Sequence, residues 1–341
     1  MDPKIAAMIG ISKQMPWLSI IIPNWNGMEI LPDCFDSIFS QSSGGYEVIL
    51  VDNNSSDGSI DLTRKDYPSV KVLESKVNIG YTGACNAAGK IAKGKYLLFL
   101  NSDAKLDHDY VKELDDFIKK NSCAKIIASR EFSYDGSIFI SQNDGVDFLG
   151  YGCTYKPGKV HTAPGCAFVI EKRLFSDLGG FDHKMFMYHE EIDICWRAYL
   201  MNEEPYNADR CIFFHSTGGS MPAGSIKRRY LGERNNIRSF LKNYSYPVLL
   251  FILPIYLLVN FGEVVYLLLT GQLKTIKEAY GRAWVDNIKD FRDIRCRHNE
   301  IQQKREINDI QYLNSTCFVI GKLQGFFKLG SEVSFDDIQP K

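Results

Sequence analysis

The feature that most constrains the fold of this chain is the alternation of short apolar runs with helix-like segments between residues 17 and 121. The predicted strands are the apolar runs 18–23, 47–51, 70–74 and 96–100. The predicted helices between them are 29–40 and 83–92. Strands that alternate with helices form a parallel sheet, because each helix carries the chain back across one face of the sheet. The sequence therefore predicts an α/β fold with a mostly parallel central sheet flanked by helices.

Polar clusters follow three of the predicted strands. They are Pro23-Asn-Trp-Asn-Gly27, Asp52-Asn-Asn-Ser-Ser-Asp-Gly58 and Asn101-Ser-Asp103. In open sheets of this kind, ligands bind beyond the carboxyl ends of the strands. No Gly-x-Gly-x-x-Gly motif follows the first strand, which argues against a dinucleotide-binding dehydrogenase. The glycine-rich segment from Gly83 to Lys90 is read as a small-residue helix packed on the sheet rather than as a phosphate-binding loop.

Charge and cysteine usage exclude other classes. The 40 Lys and Arg residues balance 41 Asp and Glu residues, so the chain lacks the basic surface of a general nucleic-acid binder, and no nucleic-acid partner is expected. The nine cysteines form no Cys-x-x-Cys pair and no zinc-type spacing, so they are predicted to be reduced and mostly buried, as in a cytosolic protein. Residues 1–16 are predicted to be an N-terminal extension that is too short and too interrupted for a signal peptide.

Three carboxylates, Glu190, Glu191 and Asp193, cluster behind the turn Gly179 to Asp182. They lie at the predicted start of a helix, where the helix dipole favours acidic residues by about 0.3 to 1 kcal/mol. Asp193 and Arg197 are spaced four apart and are predicted to form an ion pair within that helix. Glu190 and Glu191 are about 100° apart around the helix, so only one is expected to face a cleft. Trp196 is predicted to be buried, with an acceptor platform as the alternative.

Five segments occur in the order seen in family 2 inverting glycosyltransferases of the GT-A fold, and the chain resembles the rhamnosyltransferase-like branch of that family. The segments are 19–26, 48–58, 78–86, 98–103 and 179–197. The later stretches His215 to Ser220 and Tyr230 to Asn235 are also similar to that branch. The resemblance implies a GT-A catalytic domain over residues 17–243, with a nucleotide-sugar half (17–121) and an acceptor half (122–243).

The resemblance also implies a nucleotide-sugar site. Its expected residues are Pro23, Asn26, Asp52, Asp57, Asn78, Gly80 and Ser102. Asp52 can accept the imide hydrogen of a uracil- or thymine-type base, or equivalent donors of guanine, so the expected donors are UDP-, dTDP- or GDP-linked sugars. The alternative for Asp52 is a strand-end carboxylate that bonds its own loop.

A divalent cation is expected at Asp103, because a hard cation that bridges a diphosphate needs carboxylate oxygen. Mg²⁺ or Mn²⁺ would fit. The family usually has Asp-x-Asp here, whereas this chain has Asn101-Ser-Asp103 and supplies one carboxylate. His215 resembles the downstream histidine that can complete such a site, and a structural hydrogen-bonding role is the alternative.

Inverting transfer requires a base that takes the proton of the attacking hydroxyl. The family pattern Glu-Asp-x-Asp gives this role to the second acid, which here is Glu191 within Glu190-Glu191-Ile192-Asp193. Glu191 is therefore the first candidate and Glu190 the second. The change from Asp to Glu lengthens the side chain by one methylene, and a misplacement of about 1 Å can cost on the order of a hundredfold in rate.

Residues 130–165 are predicted to be irregular, with several turn signals, and to form part of the acceptor side. The unranked acceptor candidates are Tyr134, Asp144, Tyr151 and Tyr155.

Residues 244–341 are predicted to be a membrane-associated helical region and tail. The apolar run 248–269 is long enough to cross a membrane once, although Pro254 and Glu263 interrupt it. Helices that lie in the cytoplasmic face of the membrane fit as well, and a buried hairpin of a soluble protein is the third alternative. The heavier basic charge before the run favours a cytoplasmic catalytic domain. Residues 279–303 are predicted to form one charged amphipathic helix.

The sequence thus predicts a metal-dependent, inverting, non-processive transferase at the cytoplasmic face of the cell membrane. It would move a hexose or deoxyhexose from a nucleotide sugar to a lipid-linked or cell-surface glycan. A processive synthase is disfavoured, because Gln-x-x-Arg-Trp is absent and there is a single apolar run. The incomplete Asp-x-Asp and the altered Glu-Asp leave one alternative, a catalytically silent nucleotide-sugar-binding partner subunit.

Overall fold

The computed structural model describes residues 15–142, 145–153, 162–216 and 225–317, together with Lys322. The strands are β1 (Leu18–Asn24), β2 (Tyr46–Asp52), β3 (Lys71–Glu74), β4 (Tyr96–Leu100), β5 (Ala104–Leu106), β6 (Ile126–Ser133), β7 (Phe139–Ser141), β8 (Gly145–Val146), β9 (Gly152–Cys153), β10 (Ala167–Glu171) and β11 (Pro205–His215). The helices are α1 (Leu31–Phe39), α2 (Ser59–Asp66), α3 (Gly80–Ile91), α4 (Tyr110–Lys120), α5 (Lys172–Asp177), α6 (Glu190–Leu200), α7 (Ile226–Asn243), α8 (Tyr246–Leu269), α9 (Leu273–Thr275), α10 (Arg282–Lys289), α11 (Phe291–Lys304) and α12 (Asp309–Ser315).

Within the described residues, a nine-stranded sheet runs in the order β3-β2-β1-β4-β10-β6-β11-β5, with β7 paired to β6. The four strands β3, β2, β1 and β4 are mutually parallel, as predicted. β10 runs antiparallel to both of its neighbours, and β5 and β7 are also antiparallel to their partners. The sheet is therefore mixed rather than mostly parallel.

Side chains alternate between the two faces of the sheet and build a core on each side. Ile20 and Ile22 point into one core with α1, while Ile21 points into the other, which contains α3. Ala84 and Ala88 of α3 are fully buried there, so the small residues let this helix pack closely on the sheet, as predicted. The helix begins at Gly80, three residues before the predicted Gly83, since the Asn78 side chain accepts a hydrogen bond from the Gly80 amide.

The segment predicted to be irregular contains more regular structure than expected. β6 continues to Ser133, and the short strands β7, β8 and β9 follow. One cysteine also departs from the prediction: Cys317 is disulfide-bonded, whereas seven others are free. The Cys317 amide bonds the Val146 carbonyl, and this contact between distant parts of the chain is not readable from cysteine spacing.

The C-terminal helices pack against α7 around a third core. Trp196 is buried there, as predicted, and stacks on Tyr312 with ring centroids 4.7 Å apart. α8 is continuous through Pro254. The single helix predicted over 279–303 is instead divided into α10 and α11, with a π-helical turn before it at Ile276–Gly281. The break falls at Asp290, whose carboxylate binds the Lys184 ammonium at 2.6 Å.

A buried charge cluster joins α6 to α7. Asp193 binds Arg197 at 2.9 Å, as predicted, and also binds Lys242 of α7 at 3.0 Å. Lys242 reaches Asp182 at 2.7 Å, and Arg238 binds the same carboxylate at 2.6 Å. Burial alone would raise the pKa of both carboxyl groups, but Lys242 and its neighbouring arginines hold them well below their usual range. The segment between Asp182 and Asp193, which carries both glutamates, is therefore fixed at its two ends.

We predict that Lys242→Met lowers the free energy of unfolding by about 3 to 5 kcal/mol, because two buried carboxylates would lose their shared partner. Urea unfolding followed by tryptophan fluorescence measures the change. Lys119→Met is the matched control, since Lys119 makes an exposed pair with Asp115, and it should leave the unfolding midpoint unchanged. Equal effects of the two substitutions would show that the buried cluster adds nothing to stability.

Candidate active site

Polar residues of three neighbouring strands meet at one edge of the sheet. β2, β1 and β4 are adjacent and parallel, so their carboxyl ends lie side by side. Asn24 pairs directly with Asp52 in this register. Asn101 follows β4, and its amide donates to the carbonyl of Cys166 at 2.9 Å. The three polar clusters of the sequence therefore come together, as expected from a parallel sheet.

Asn24, which the sequence did not single out, organises the first two clusters. Its side-chain nitrogen, Nδ2, lies 3.2 Å from the Asp52 carboxylate, 3.2 Å from the Ser55 hydroxyl and 3.0 Å from the Ser59 hydroxyl. Asp52 is 4% exposed and also accepts from the Ser55 amide at 2.9 Å. Asp52 thus stabilises the loop that follows it by a hydrogen bond with Ser55. A carboxylate has about four acceptor positions, so this role leaves capacity for a ligand donor.

Asn26 and Asp57 hold the two loops against each other. The Asn26 side chain accepts from the Ser56 amide at 2.9 Å, and Asn26 itself has a left-handed backbone with φ 53°. The Asp57 carboxylate accepts from the amides of Met28 and Ser59, at 2.8 and 3.1 Å. Both residues therefore shape the cleft through the backbone. Pro23 lies within β1, just before this turn.

Gly80 connects the nucleotide half to residues 186–191, which lead into and include Glu190 and Glu191 and are called the acid segment here. Its φ is +74°, and a Cβ at this position would lie 2.5 Å from both the Phe186 ring and the Phe186 carbonyl oxygen. The amide of Thr82 donates to the same carbonyl at 3.1 Å. The start of α3 therefore supports the backbone just before Glu190, and only glycine allows this approach.

The backbone before Glu190 is strained. Phe186, Tyr188 and His189 all have positive φ, between 68° and 72°. The Asn235 side-chain amide lies 2.9, 2.9 and 2.7 Å from the carbonyl oxygens of Met185, Met187 and Tyr188. Strain of this kind persists only where surrounding contacts over-determine it, and it is typical of functional sites. The Tyr230 to Asn235 motif thus contributes a clamp on this segment.

Glu190 and Glu191 lie in different environments, as their spacing on α6 predicts. Glu190 is 7% exposed, and one of its carboxyl oxygens has no hydrogen-bond partner. Burial, and then the neighbouring Glu191 charge, raise the pKa of Glu190 well above its usual value. Glu191 is partly exposed and lies against Gly165, where a Cβ would be 3.4 Å from the Glu191 carboxyl carbon.

His215 ends β11 between two carboxylates. Its Nε2 atom is 3.3 Å from the Asp103 Oδ1 atom, and its Nδ1 atom is 2.9 Å from the Glu131 Oε1 atom. Burial alone would lower the pKa of His215, but hydrogen bonds with Asp103, Cys166 and Glu131 raise it to about 12. An oxygen and a nitrogen donor that face each other this closely fit a shared divalent cation. Ser102 is partly exposed beside them.

Two members of this group, Glu131 and Cys166, were missed by the sequence analysis. Glu131 falls in the segment predicted to be irregular and Cys166 directly follows it, and neither belongs to a recognisable motif. Burial raises the pKa of Cys166 to about 12, although His215 opposes the shift. In the structure Glu131 is a buried residue between the partly exposed Arg130 and Phe132 of β6, and the sequence alone does not show this.

The residues predicted to contact the acceptor lie in different surroundings. The Tyr134 hydroxyl donates to Asp33 at 2.6 Å, next to the Lys105 ammonium, which lies 3.8 Å from the tyrosine ring centre. The Tyr151 hydroxyl instead bonds Glu233 and Tyr256 of the helical region, at 3.2 and 3.1 Å. Its contacts place Tyr151 against α7 and α8 and do not support the predicted acceptor role. Asp144 and Tyr155 lie outside the described residues.

A mixed sheet flanked by helices, with polar clusters at the carboxyl ends of its parallel strands, is the organisation of the GT-A fold. The chain belongs to the family described as "Glycosyl transferase family 2", whose profile matches residues 19–195.

Two curated relatives are similar over this domain. Poly(ribitol-phosphate) beta-glucosyltransferase of Bacillus spizizenii is 39% identical over 142 residues, which are 39% of this chain and 22% of the relative. The putative teichuronic acid biosynthesis glycosyltransferase TuaG of Bacillus subtilis is 30% identical over 166 residues, or 46% of this chain and 63% of the relative. The chain therefore matches less than two thirds of the length of either relative.

A solved structure with the same fold is that of GalNAc-T7 with UDP, GalNAc and Mn²⁺. It superposes with a TM-score of 0.55 at 16% sequence identity, covering 67% of this chain and 48% of the other. At this identity the likeness concerns the fold alone.

We predict that Asn235→Ala reduces the rate of glycosyl transfer on the order of a hundredfold. Without the Asn235 hydrogen bonds the backbone of residues 185–189 is free to move, and Glu190 and Glu191 are misplaced. The affinity for nucleotide should not change, since Asn235 does not touch the strand-end loops. Steady-state kinetics and nucleotide titration separate the two effects.

Asn236→Ala is the matched control, because Asn236 is buried on the same helix and donates to the Leu149 carbonyl at 3.2 Å. Both variants should lose about 1 to 3 kcal/mol of stability. An equal loss of activity in the two variants would reduce Asn235 to a purely structural residue.

Proposed function

We propose that this chain is a metal-dependent, inverting, non-processive glycosyltransferase that uses a UDP-, dTDP- or GDP-linked hexose or deoxyhexose. The acceptor is a lipid-linked or cell-surface glycan, and residues 17–243 form the catalytic domain. The observation that carries the proposal is the convergence of the Asp52 loop, the Asp103–His215 pair and the Glu190–Glu191 pair at one edge of the sheet. The two relatives, a poly(ribitol-phosphate) beta-glucosyltransferase and a putative teichuronic acid biosynthesis glycosyltransferase, support the same class.

Contacts between neighbouring residues connect these three groups. From the Asp52 side, the Asn53 side chain accepts from the Ile79 amide at 3.3 Å, next to Gly80 and the acid segment. From the Asp103 side, Asn101 bonds Cys166, and the neighbouring Gly165 contacts Glu191. A donor whose base binds at Asp52 and whose diphosphate reaches Asp103 would therefore present its sugar towards the acid pair.

Each group has a chemical task in this arrangement. Asp52 accepts a hydrogen bond from the base, and Asn26, Asp57, Asn78 and Gly80 shape its pocket. Asp103 and His215 would hold Mg²⁺ or Mn²⁺, which supplies positive charge against the departing diphosphate. Because Asn101 replaces one carboxylate of the usual pair, the Asn101-Ser-Asp103 motif contributes one carboxylate, and the diphosphate must complete the site.

Glu191 is the proposed base. Burial favours the neutral form of the Glu190 carboxyl group, whereas Glu191 is partly exposed beside Gly165. Two adjacent carboxyl groups that share one proton favour the charged form on the more exposed member. Glu191 then removes the proton of the acceptor hydroxyl as that oxygen attacks the anomeric carbon.

The helical region is proposed to attach the enzyme to the cytoplasmic face of the membrane. Among the described helices, α8 is long and apolar enough to cross a membrane. Its polar residues face the protein, however: Glu263 binds Arg229 at 3.2 Å and Lys322 at 2.7 Å. Its opposite face exposes apolar side chains, with Phe251 77% and Leu269 83% exposed. A helix held in this way lies in the membrane surface rather than across it.

A donor panel with a matched pair of variants tests the proposed reaction. We predict that at least one of the UDP-, dTDP- or GDP-linked sugars is turned over with Mn²⁺ and not with a chelator, and that the product anomer is inverted. Glu191→Gln should lower the transfer rate by about 10² to 10⁴ without loss of nucleotide affinity. Glu190→Gln removes the carboxyl group that is not the proposed base and should stay within about tenfold of wild type.

The outcomes separate the alternatives. Binding of a donor without turnover by the wild type would favour the silent partner subunit, and absence of binding would contradict the family 2 activity altogether. Transfer that survives in Glu191→Gln but not in Glu190→Gln would move the base to Glu190.

We predict that the wild-type protein floats with vesicles of phosphatidylcholine and phosphatidylglycerol and is released by alkaline carbonate, as a surface helix would be. The double substitution Leu258→Glu and Phe261→Glu should abolish flotation, because it places two charges on the exposed apolar face of α8. Ile138→Glu, an exposed apolar residue near β7, is the control and should float. Retention in carbonate-washed membranes would instead indicate a true membrane span.

A further inference from the structure

We propose that Glu131, Cys166 and His215 form a site for Zn²⁺, next to the Asp103 side of the donor cleft. One ligand atom from each residue can be chosen so that the three lie within 4.8 Å of one another. Bound zinc would occupy His215 and block donor binding. That inhibitory consequence rests on the proposed function, whereas zinc binding itself does not.

The chemistry of the three ligands favours a borderline-soft cation. Zn²⁺ is commonly held by thiolate sulfur, imidazole nitrogen and carboxylate oxygen, whereas Mg²⁺ and Mn²⁺ prefer oxygen. Cys166 supplies the sulfur, His215 the nitrogen and Glu131 the oxygen. A water molecule would complete four-fold coordination.

The ligands are held by neighbouring strands. Glu131 lies on β6 and His215 on β11, which pair in parallel with Phe213 opposite Glu131. Cys166 immediately precedes β10, which pairs with β6 on its other side. The Cys166 carbonyl also accepts from the Asn101 amide at 2.9 Å, and this bond fixes the loop. A site whose ligands project from adjacent strands is organised before the metal binds.

The same placement explains how zinc would inhibit. The two nitrogens of His215 face Asp103 and Glu131, so a cation bound on the Glu131 side competes for the imidazole that the donor-site cation would use. Zinc at this position therefore removes one of the two protein ligands proposed for Mg²⁺ or Mn²⁺.

Cobalt spectroscopy tests the site without any donor or acceptor. Co²⁺ is added to the full-length protein in the absence of nucleotide, and the thiolate-to-cobalt charge-transfer absorption is recorded. One equivalent of Co²⁺ should produce the band, and Zn²⁺ should displace it. Cys166→Ser should abolish the band, while Cys123→Ser, which removes an exposed free cysteine, should retain it.

A second variant distinguishes loss of the metal site from loss of the fold. Glu131→Gln keeps the side-chain shape and the thiol, and it should weaken Co²⁺ binding by at least about tenfold. Absence of the band in the folded wild type, or its persistence in Cys166→Ser, would overturn the proposal. Because no sugar nucleotide is present, a negative result here leaves the donor-panel result unaffected, and a failed donor panel leaves zinc binding intact.

Discussion

The buried contacts between α7 and the segment 182–193 set the geometry on which the candidate site depends. Asp182 and Asp193 are tied to α7 through Lys242 and Arg238, and between them the Asn235 amide bonds three backbone carbonyls. These contacts hold residues 186–189 in a strained conformation that the chain would not adopt alone. The two glutamates that follow are presented to the cleft for this reason, one buried and one partly exposed.

The sheet supplies the other half of the site by a different principle. Parallel strands bring the polar residues after β1, β2 and β4 to one edge without any special contact, and Asn24 then fastens the first two loops together. Gly80 is the point where the two halves meet, because its backbone packs directly on Phe186. Site geometry in this family member thus depends on glycine and asparagine as much as on its charged residues.

Local pattern was enough to predict the parallel half of the fold, α3 on the sheet and the Asp193–Arg197 pair. Each of these depends on residues close in sequence or on strand periodicity. The antiparallel β10, the break at Asp290 and the Asn235 clamp could not be predicted, because they depend on where distant segments meet. Glu131 and Cys166 were missed for the same reason: three separate strands bring them to His215, and no spacing in the sequence records that proximity.

In the proposed mechanism one protein carboxylate, Asp103, would hold a cation together with a nucleoside diphosphate. Electron paramagnetic resonance of Mn²⁺ measures this directly, because free Mn²⁺ gives a sharp signal that is lost on binding. We expect little Mn²⁺ binding to the protein alone, tight binding when UDP, dTDP or GDP is added, and loss of this effect in Asp103→Asn. Equal Mn²⁺ binding with and without nucleotide, or in the wild type and Asp103→Asn, would contradict it.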